Sequence, residues 1–300
     1  MIRHYVAALR LSSLPLSISG VVVGSLLAFG GGTFSWPVFL FTILTALSLH
    51  ILSNVSNDLG DSQKGIDNRE SLGSASALQL GRLTERDYYN MIKFFVVLCV
   101  VSGTLLVYFA FGSLFEPRSL LFIVIGAIAM VAAVKYTMGD NNYGYKGWGD
   151  LSVFIFFGLL STVGGYYLQT GTMTLSLLLP AAAIGFLIVG VLNVNNMRDI
   201  IGDKICGKNT IPVRIGMRSA KLYHYALIVT AWILLMVYTY LHSNFVWNWL
   251  YIALLPLYIR HIARVRRREG KSLERELEEL CIAIIVLALV FGVSQLPHQF

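Results

Sequence analysis

Of the 300 residues, 56% are hydrophobic and only 13% charged, and the mean hydropathy is +0.69. One water-soluble core cannot hide so much apolar side chain, so lipid must be the solvent for much of the surface. The net charge of +7 invites a nucleic-acid reading, but the basic residues follow membrane topology and anionic lipid contact instead, and no nucleic-acid partner is expected. Cys99, Cys206 and Cys281 are scattered, with no metal-ligand spacing and no disulfide framework.

The opening stretch is basic and then apolar, as in a signal peptide. It lacks a small-residue cleavage site and more apolar stretches follow it, so it reads as an uncleaved first span. Crossing hydrocarbon takes roughly 20 apolar residues in a helix. Candidate spans lie at 14–29, 37–55, 92–111, 120–138, 151–168, 175–194, 223–241, 246–262 and 280–296. They predict an all-α, polytopic bundle of about nine transmembrane helices. The chain reads as one domain over 1–300, two weakly repeated four-helix units plus a final helix, with no obligate protein partner. The turns at 30–36, 112–119, 169–174 and 242–245 are short, and the alternate connections are longer and polar. With the N-terminus in the cytoplasm, only Arg118 of the 23 lysines and arginines falls outside. A multi-pass protein of the inner (cytoplasmic) membrane is expected, its polar loops facing the cytoplasm.

Several residues receive bland readings. The Arg264–Arg268 run is a solvated, lipid-facing face. His4, His224, His242, His261 and His298 stand isolated near the interfaces, without catalytic work. Trp36, Trp148, Trp247 and Trp249 are belt anchors, and Gly158, Gly164, Gly165 and Gly185 permit close helix packing.

Two polar constellations break the apolar pattern. Where the second span ends, Asn54, Asn57, Asp58 and Asp61 are spaced i, i+3, i+4, i+7 and share one helical face; Lys64 and Asp67 follow. Four spans later, in the same relation to its helix, come Asn195, Asn196, Arg198, Asp199 and Asp203, then Lys208 and Arg214. Charges this close to hydrocarbon are costly and usually face a bundle interior or cavity. Gathered carboxylates repel unless cations neutralise them. Carboxylates with amides suit Mg²⁺, whose shell is completed by water and substrate phosphates. Two metals between the clusters could clamp a diphosphate, with Lys64, Arg198, Lys208 and Arg214 on its outer oxygens. Tyr136, Tyr143 and Tyr145 sit on the same polar side, between the two sites.

Carried by these motifs almost end to end, the chain resembles the UbiA superfamily of membrane prenyltransferases. Within it, the likeness is to the menaquinone-branch 1,4-dihydroxy-2-naphthoate polyprenyltransferases. The matching residues run from Leu14-Pro15 through Leu52-Ser53-Asn54, Asn57-Asp58, Asp61, Gly65 and Asp67 to Gln79 and Gly81. They continue in Tyr136-Thr137, Tyr143-Gly144-Tyr145, Gly147, Gly149-Asp150, Asn195-Asn196, Arg198-Asp199, Asp203, Gly207-Lys208-Asn209-Thr210, Val213-Arg214 and Gly216.

The resemblance implies nine helices around a cavity open to lipid, and Mg²⁺-dependent transfer from polyprenyl diphosphate to a dihydroxynaphthoate with loss of CO₂, giving demethylmenaquinone. It implies Asn57, Asp58 and Asp61 around one metal, Asp199 and Asp203 around the other, and Arg198, Lys208 and Tyr136 at the diphosphate or reacting centre. The chain departs from the family pattern at Ser71, Gly73-Ser74 and Ser76, where Arg, Gly-Pro and Arg are usual, and at Asn141-Asn142, where Arg-Pro is usual. Lys135 or Lys64 is the expected compensation. Another aromatic acceptor, 4-hydroxybenzoate or homogentisate, shares all the metal logic. A cation-coupled transporter would place its acidic groups at mid-membrane, whereas both clusters here end helices.

Overall fold

The structure, a computed structural model, describes residues 2–64, 76–140, 142–242 and 245–296. In hydrocarbon a backbone amide finds no partner but its own chain, so the apolar runs become helices. Helix α1 (Ile2–Ala8) is followed by Arg10, whose φ of 51° makes it the one non-glycine residue in the left-handed region among those described. Pro15 opens α2 (Pro15–Gly30), and the chain bends by 50° between 3–13 and this helix. Proline at a first helical position loses no hydrogen bond; Leu14 before it is itself helical, and the left-handed Arg10 is what interrupts the helix.

Helix α3 (Trp36–Gln63) has 28 residues. At 1.5 Å per residue it is about 42 Å long. That exceeds the roughly 30 Å of hydrocarbon, so its polar last turns project beyond. Helix α4 (Glu85–Phe111) starts at a reciprocal cap between Thr84 and Asp87 and stops at Gly112 (φ 73°). Then come α5 (Pro117–Lys135) and α6 (Gly149–Thr170), the latter wound with wide i→i+5 turns over Phe154–Gly164. Helix α7 (Leu178–Arg198) continues, after a break at Asp199, into the short α8 (Ile200–Ile205). Helices α9 (Ile211–His242, kinked at Gly216), α10 (Leu255–Arg267) and α11 (Glu274–Ser294) complete the chain.

Among the described residues seven helices are long and apolar enough to cross a membrane, and eight if the bent pair over 3–30 counts as one span. The expected span 246–262 is instead divided, a 3₁₀ stretch Val246–Leu254 running into α10. The expected starts at 92, 223 and 280 fall at 85, 211 and 274. The capping box at Thr84 shows why: helix nucleates in polar sequence that hydropathy does not register.

Helix α7 is the most enclosed span, apolar all round up to its polar last turns, and packs against α2, α9 and α11 through Val23, Ile184, Leu187, Leu235, Ile284 and Phe291. A second core joins α3 to α4 through Leu52, Val55, Leu59, Tyr88 and Phe95. A Cβ on Gly158 would lie 2.4 Å from the Gly185 Cα, and one on Gly24 would lie 2.2 Å from the Thr162 carbonyl oxygen. Backbones there approach as closely as small residues permit. Gly164 meets only ordinary side-chain contacts.

Two bland readings are corrected. His224 and His261 are not isolated: their Nε2 atoms are 2.9 Å apart, and His261 Nδ1 is 3.1 Å from fully buried Glu276. Nor are Arg264 and Arg268 a free lipid-facing pair. Arg268 bonds Glu276 at 2.5 Å, and Arg264 pairs with Glu279. A buried carboxylate must be paired, and α10 with the residue that follows it supplies the cations to α11.

Candidate active site

A cavity of about 750 Å³ runs between α2, α3, α5, α6 and α7. Its deeper wall is apolar, with Val21, Leu49, Phe157, Leu160, Ile188 and Val191, and its mouth carries both polar constellations. Each residue turns a helix by about 100°, so Asn54, Asn57 and Asp61 fall within about 60° of one another while Asp58 lies at the α4 edge of that face. Asn54, Asn57 and Asp61 line the cavity. Asp58 is 3% exposed and does not line it: it is ion-paired with Arg10 and accepts a 3.2 Å bond from Tyr88. Both its oxygens serve the joint between the N-terminal segment, α3 and α4, apart from the cavity that the other expected metal ligands line.

From the second constellation Asn195, Asn196, Arg198, Asp199 and Asp203 all face the same cavity. Arg198 holds Asp199 through two nitrogens at 2.6 and 3.0 Å, donates to the Asn195 amide oxygen at 2.9 Å, and pairs with Glu274 from α11. Lys208 reaches across to Asp61, with Nζ 3.6 Å from Oδ2. Burial, with the neighbouring Asp199 and Asp61 carboxylates, pushes the Asp203 carboxyl up to about 6 against the pull of Lys208. Burial alone would lower the Lys208 ammonium, but Asp61 and Asp203 hold it above its ordinary value.

The connection after α5 closes the site from the side. Tyr136 and Tyr143 line the cavity, and the Tyr143 hydroxyl donates to the Ala132 carbonyl at 2.9 Å. Tyr145 donates to Asp61 Oδ1 at 2.5 Å, while Lys64 and Lys208 lie 4.4 and 5.3 Å from its ring centre. The loop is stitched to the 207–214 turn by the Asn209 amide on the Tyr145 carbonyl (2.9 Å) and the Arg214 guanidinium on the Lys146 carbonyl (2.5 Å). Gly147 (φ 78°) permits this approach, because a Cβ there would meet Arg214 Nη2 at 2.7 Å. Arg214 is therefore a stitch and not a phosphate contact. Lys135 is exposed and does not line the cavity, and Lys64 meets the site through the Tyr145 ring. Gly65, Asp67, Arg69, Ser71, Gly73, Ser74, Asn141 and His298 lie outside the described residues.

Among the described residues no three His, Cys, Asp or Glu side chains make a metal group by themselves. The donors around the mouth are nonetheless hard oxygens, from Asn57, Asp61, Asp199 and Asp203. The buried Asn57 Oδ1 has no hydrogen-bond partner among the described residues, and such an atom is costly unless something binds it. An oxygen-ligated divalent cation completed by water and phosphate fits this set.

The UbiA prenyltransferase family model matches residues 17–292. The chain belongs to that family. The 1,4-dihydroxy-2-naphthoate octaprenyltransferase of Escherichia coli (strain K12) is 38% identical over 296 residues, 97% of this chain and 96% of that one. The fold is similar to that of a UbiA homolog from Aeropyrum pernix K1, with a TM-score of 0.69 at 16% identity and 94% and 96% of the two chains covered. It is also similar to a UbiA homolog from Archaeoglobus fulgidus bound to DMAPP and Mg²⁺, with a TM-score of 0.65 at 16% identity and 98% and 99% covered.

Three cavity residues of this UbiA chain carried no functional expectation from the sequence: Arg10, His50 and Glu274. His50 had a signal, being an ionisable residue inside an apolar span one helical turn before Asn54. Arg10 and Glu274 had none, since each looks like an ordinary interfacial charge.

Proposed function

We propose that this chain transfers a polyprenyl group from a polyprenyl diphosphate to 1,4-dihydroxy-2-naphthoate, with loss of CO₂, at the cytoplasmic face of the cytoplasmic membrane. The product is demethylmenaquinone at the quinol level. The reading is carried by one observation: a single cavity joins both acidic helix ends to an apolar chamber. Near full-length identity of 38% to a naphthoate octaprenyltransferase supports the acceptor. The charge asymmetry, with Arg118 alone on the far side, supports the orientation.

Asn57, Asp61, Asp199 and Asp203 are the residues to hold Mg²⁺, as the Archaeoglobus homolog's bound DMAPP and Mg²⁺ suggest by likeness of fold. Bound there, the metal would draw negative charge onto the departing diphosphate. Lys208 and Arg198 face the same space as cations for the diphosphate oxygens, with Tyr136 beside them. Fixed charges of this kind stabilise a developing anion without reorganising at the moment of reaction. The allylic C–O bond breaks with its electron pair going to the diphosphate. The apolar wall, with Phe157 and Leu160, keeps water from the allyl cation. A ring carbon of the naphthoate supplies the pair for the new C–C bond, and release of CO₂ returns the carboxylate's electrons to the ring.

The test is incorporation of labelled polyprenyl diphosphate by the purified chain in nanodiscs. A lipophilic product with 1,4-dihydroxy-2-naphthoate, abolished by EDTA and restored by Mg²⁺, is expected. Transfer to 4-hydroxybenzoate alone would reassign the acceptor, and no transfer to either would overturn the reading.

A further inference from the structure

Tyr145 belongs to neither acidic motif, yet it touches both halves of the site. Its hydroxyl donates to one oxygen of Asp61 and leaves Oδ2, the oxygen 3.6 Å from Lys208, facing that ammonium. Its ring lies beneath two ammonium groups, those of Lys64 and Lys208. Its carbonyl accepts from Asn209, one residue beyond Lys208. Three chain segments, the end of α3, the loop after α5 and the turn after α8, therefore meet on one side chain. A cation over an aromatic face is held by the ring quadrupole without being neutralised, so it remains available to an anion. A hydrogen-bonded carboxylate likewise keeps lone pairs for a metal while losing its rotational freedom.

We propose that Tyr145 is a positioning residue: its hydroxyl fixes Asp61 for the metal, and its ring sets Lys64 and Lys208 for the diphosphate. The assignment rests on the metal–diphosphate reading above. It also separates two chemical tasks within one residue, which makes it testable by two substitutions.

Tyr145→Phe keeps the ring and removes only the hydroxyl; Tyr145→Leu removes both. The full chain in nanodiscs is titrated with Mn²⁺, read by electron paramagnetic resonance, and separately with inorganic pyrophosphate in the absence of metal, read by calorimetry. Asp61→Asn serves as the reference, and thermal midpoints check that each variant folds. Tyr145→Phe is expected to weaken Mn²⁺ binding by roughly 10–100-fold, as loss of a ligand's outer hydrogen bond does, with pyrophosphate affinity unchanged. In turnover, it should raise the Mg²⁺ requirement while kcat recovers at saturating metal. Tyr145→Leu should weaken pyrophosphate binding as well.

If Tyr145→Phe binds Mn²⁺ as the unmodified chain does while Asp61→Asn does not, the hydroxyl assignment is wrong and the metal reading stands. If Asp61→Asn keeps full Mn²⁺ affinity, the metal reading falls and this assignment with it. Unchanged pyrophosphate affinity in folded Tyr145→Leu overturns the ring's part; should that variant not fold, Lys64→Gln and Lys208→Gln, each expected to weaken pyrophosphate binding, decide it.

Discussion

Asp58 and Asp203 are both buried carboxylates in acidic motifs, and the structure gives them different work. Asp203 is buried beside Asp199, Asp61 and Lys208 around the cavity, whereas Asp58 bridges Arg10 and Tyr88 behind it. Asp203→Asn is expected to lower turnover by roughly 100-fold or more, the usual scale for removing one group that stabilises developing charge, with little change in thermal midpoint. Asp58→Ala should do the reverse, destabilising the fold by about 1–3 kcal/mol through the orphaned partners while the surviving folded fraction keeps most activity. Incorporation assays and thermal unfolding on the same preparations separate the two. Equal loss of activity at both positions would return Asp58 to the metal site. At this scale the sequence made the chemistry legible, because two acidic clusters at helical spacing are hard to explain as helix caps. It did not reveal which carboxylate faces inward. Asp58 sits at the edge of its helical face, and only the neighbouring helix, through Tyr88, decides which way an edge residue turns.

At the scale of elements, backbone contact limits what the wall of α6 tolerates. Gly24→Val would drive a side chain into the Thr162 carbonyl at the α2–α6 contact. Overpacking of this kind costs about 1–3 kcal/mol when the backbone must shift. A lowered thermal midpoint with a reduced monodisperse fraction is the expected result, and a midpoint equal to that of the unmodified chain would show that the helices can part. Gly158 and Gly185 were legible in sequence as small residues in apolar runs. Gly20 and Gly24 have the same signature but were hidden in the first span, where nothing distinguished a packed glycine from a lipid-facing one. Hydropathy also missed helix ends, since α4 and α9 begin in polar sequence, and it could not separate a 3₁₀ stretch at 246–254 from a spanning helix, because averaging removes the hydrogen-bond register.

At the scale of the whole molecule, the proposed orientation rests on the distribution of lysine and arginine and is open to direct measurement. Phe115 is 86% exposed on the turn opposite the site, whereas native Cys206 lies beside Asp203. In intact cells, a membrane-impermeant maleimide should label Phe115→Cys, made with Cys206→Ser, without permeabilisation. It should label Cys206 in the otherwise unmodified chain only after permeabilisation. The opposite pattern would invert the topology and put the site on the other face.

The stitching of the 143–149 loop to the 207–214 turn has a consequence for synthesis. Tyr145 follows its partner Asp61 by 84 residues, and Arg214 follows Lys146 by 68. The ribosome therefore delivers the first acidic helix long before anything that will hold its carboxylate. During that interval Asp61 must be kept by water at the membrane surface, which its place on the last turn of a helix longer than the bilayer allows. The site closes only when the later turn emerges, so a nascent chain arrested before residue 214 can insert its helices and still lack a finished mouth.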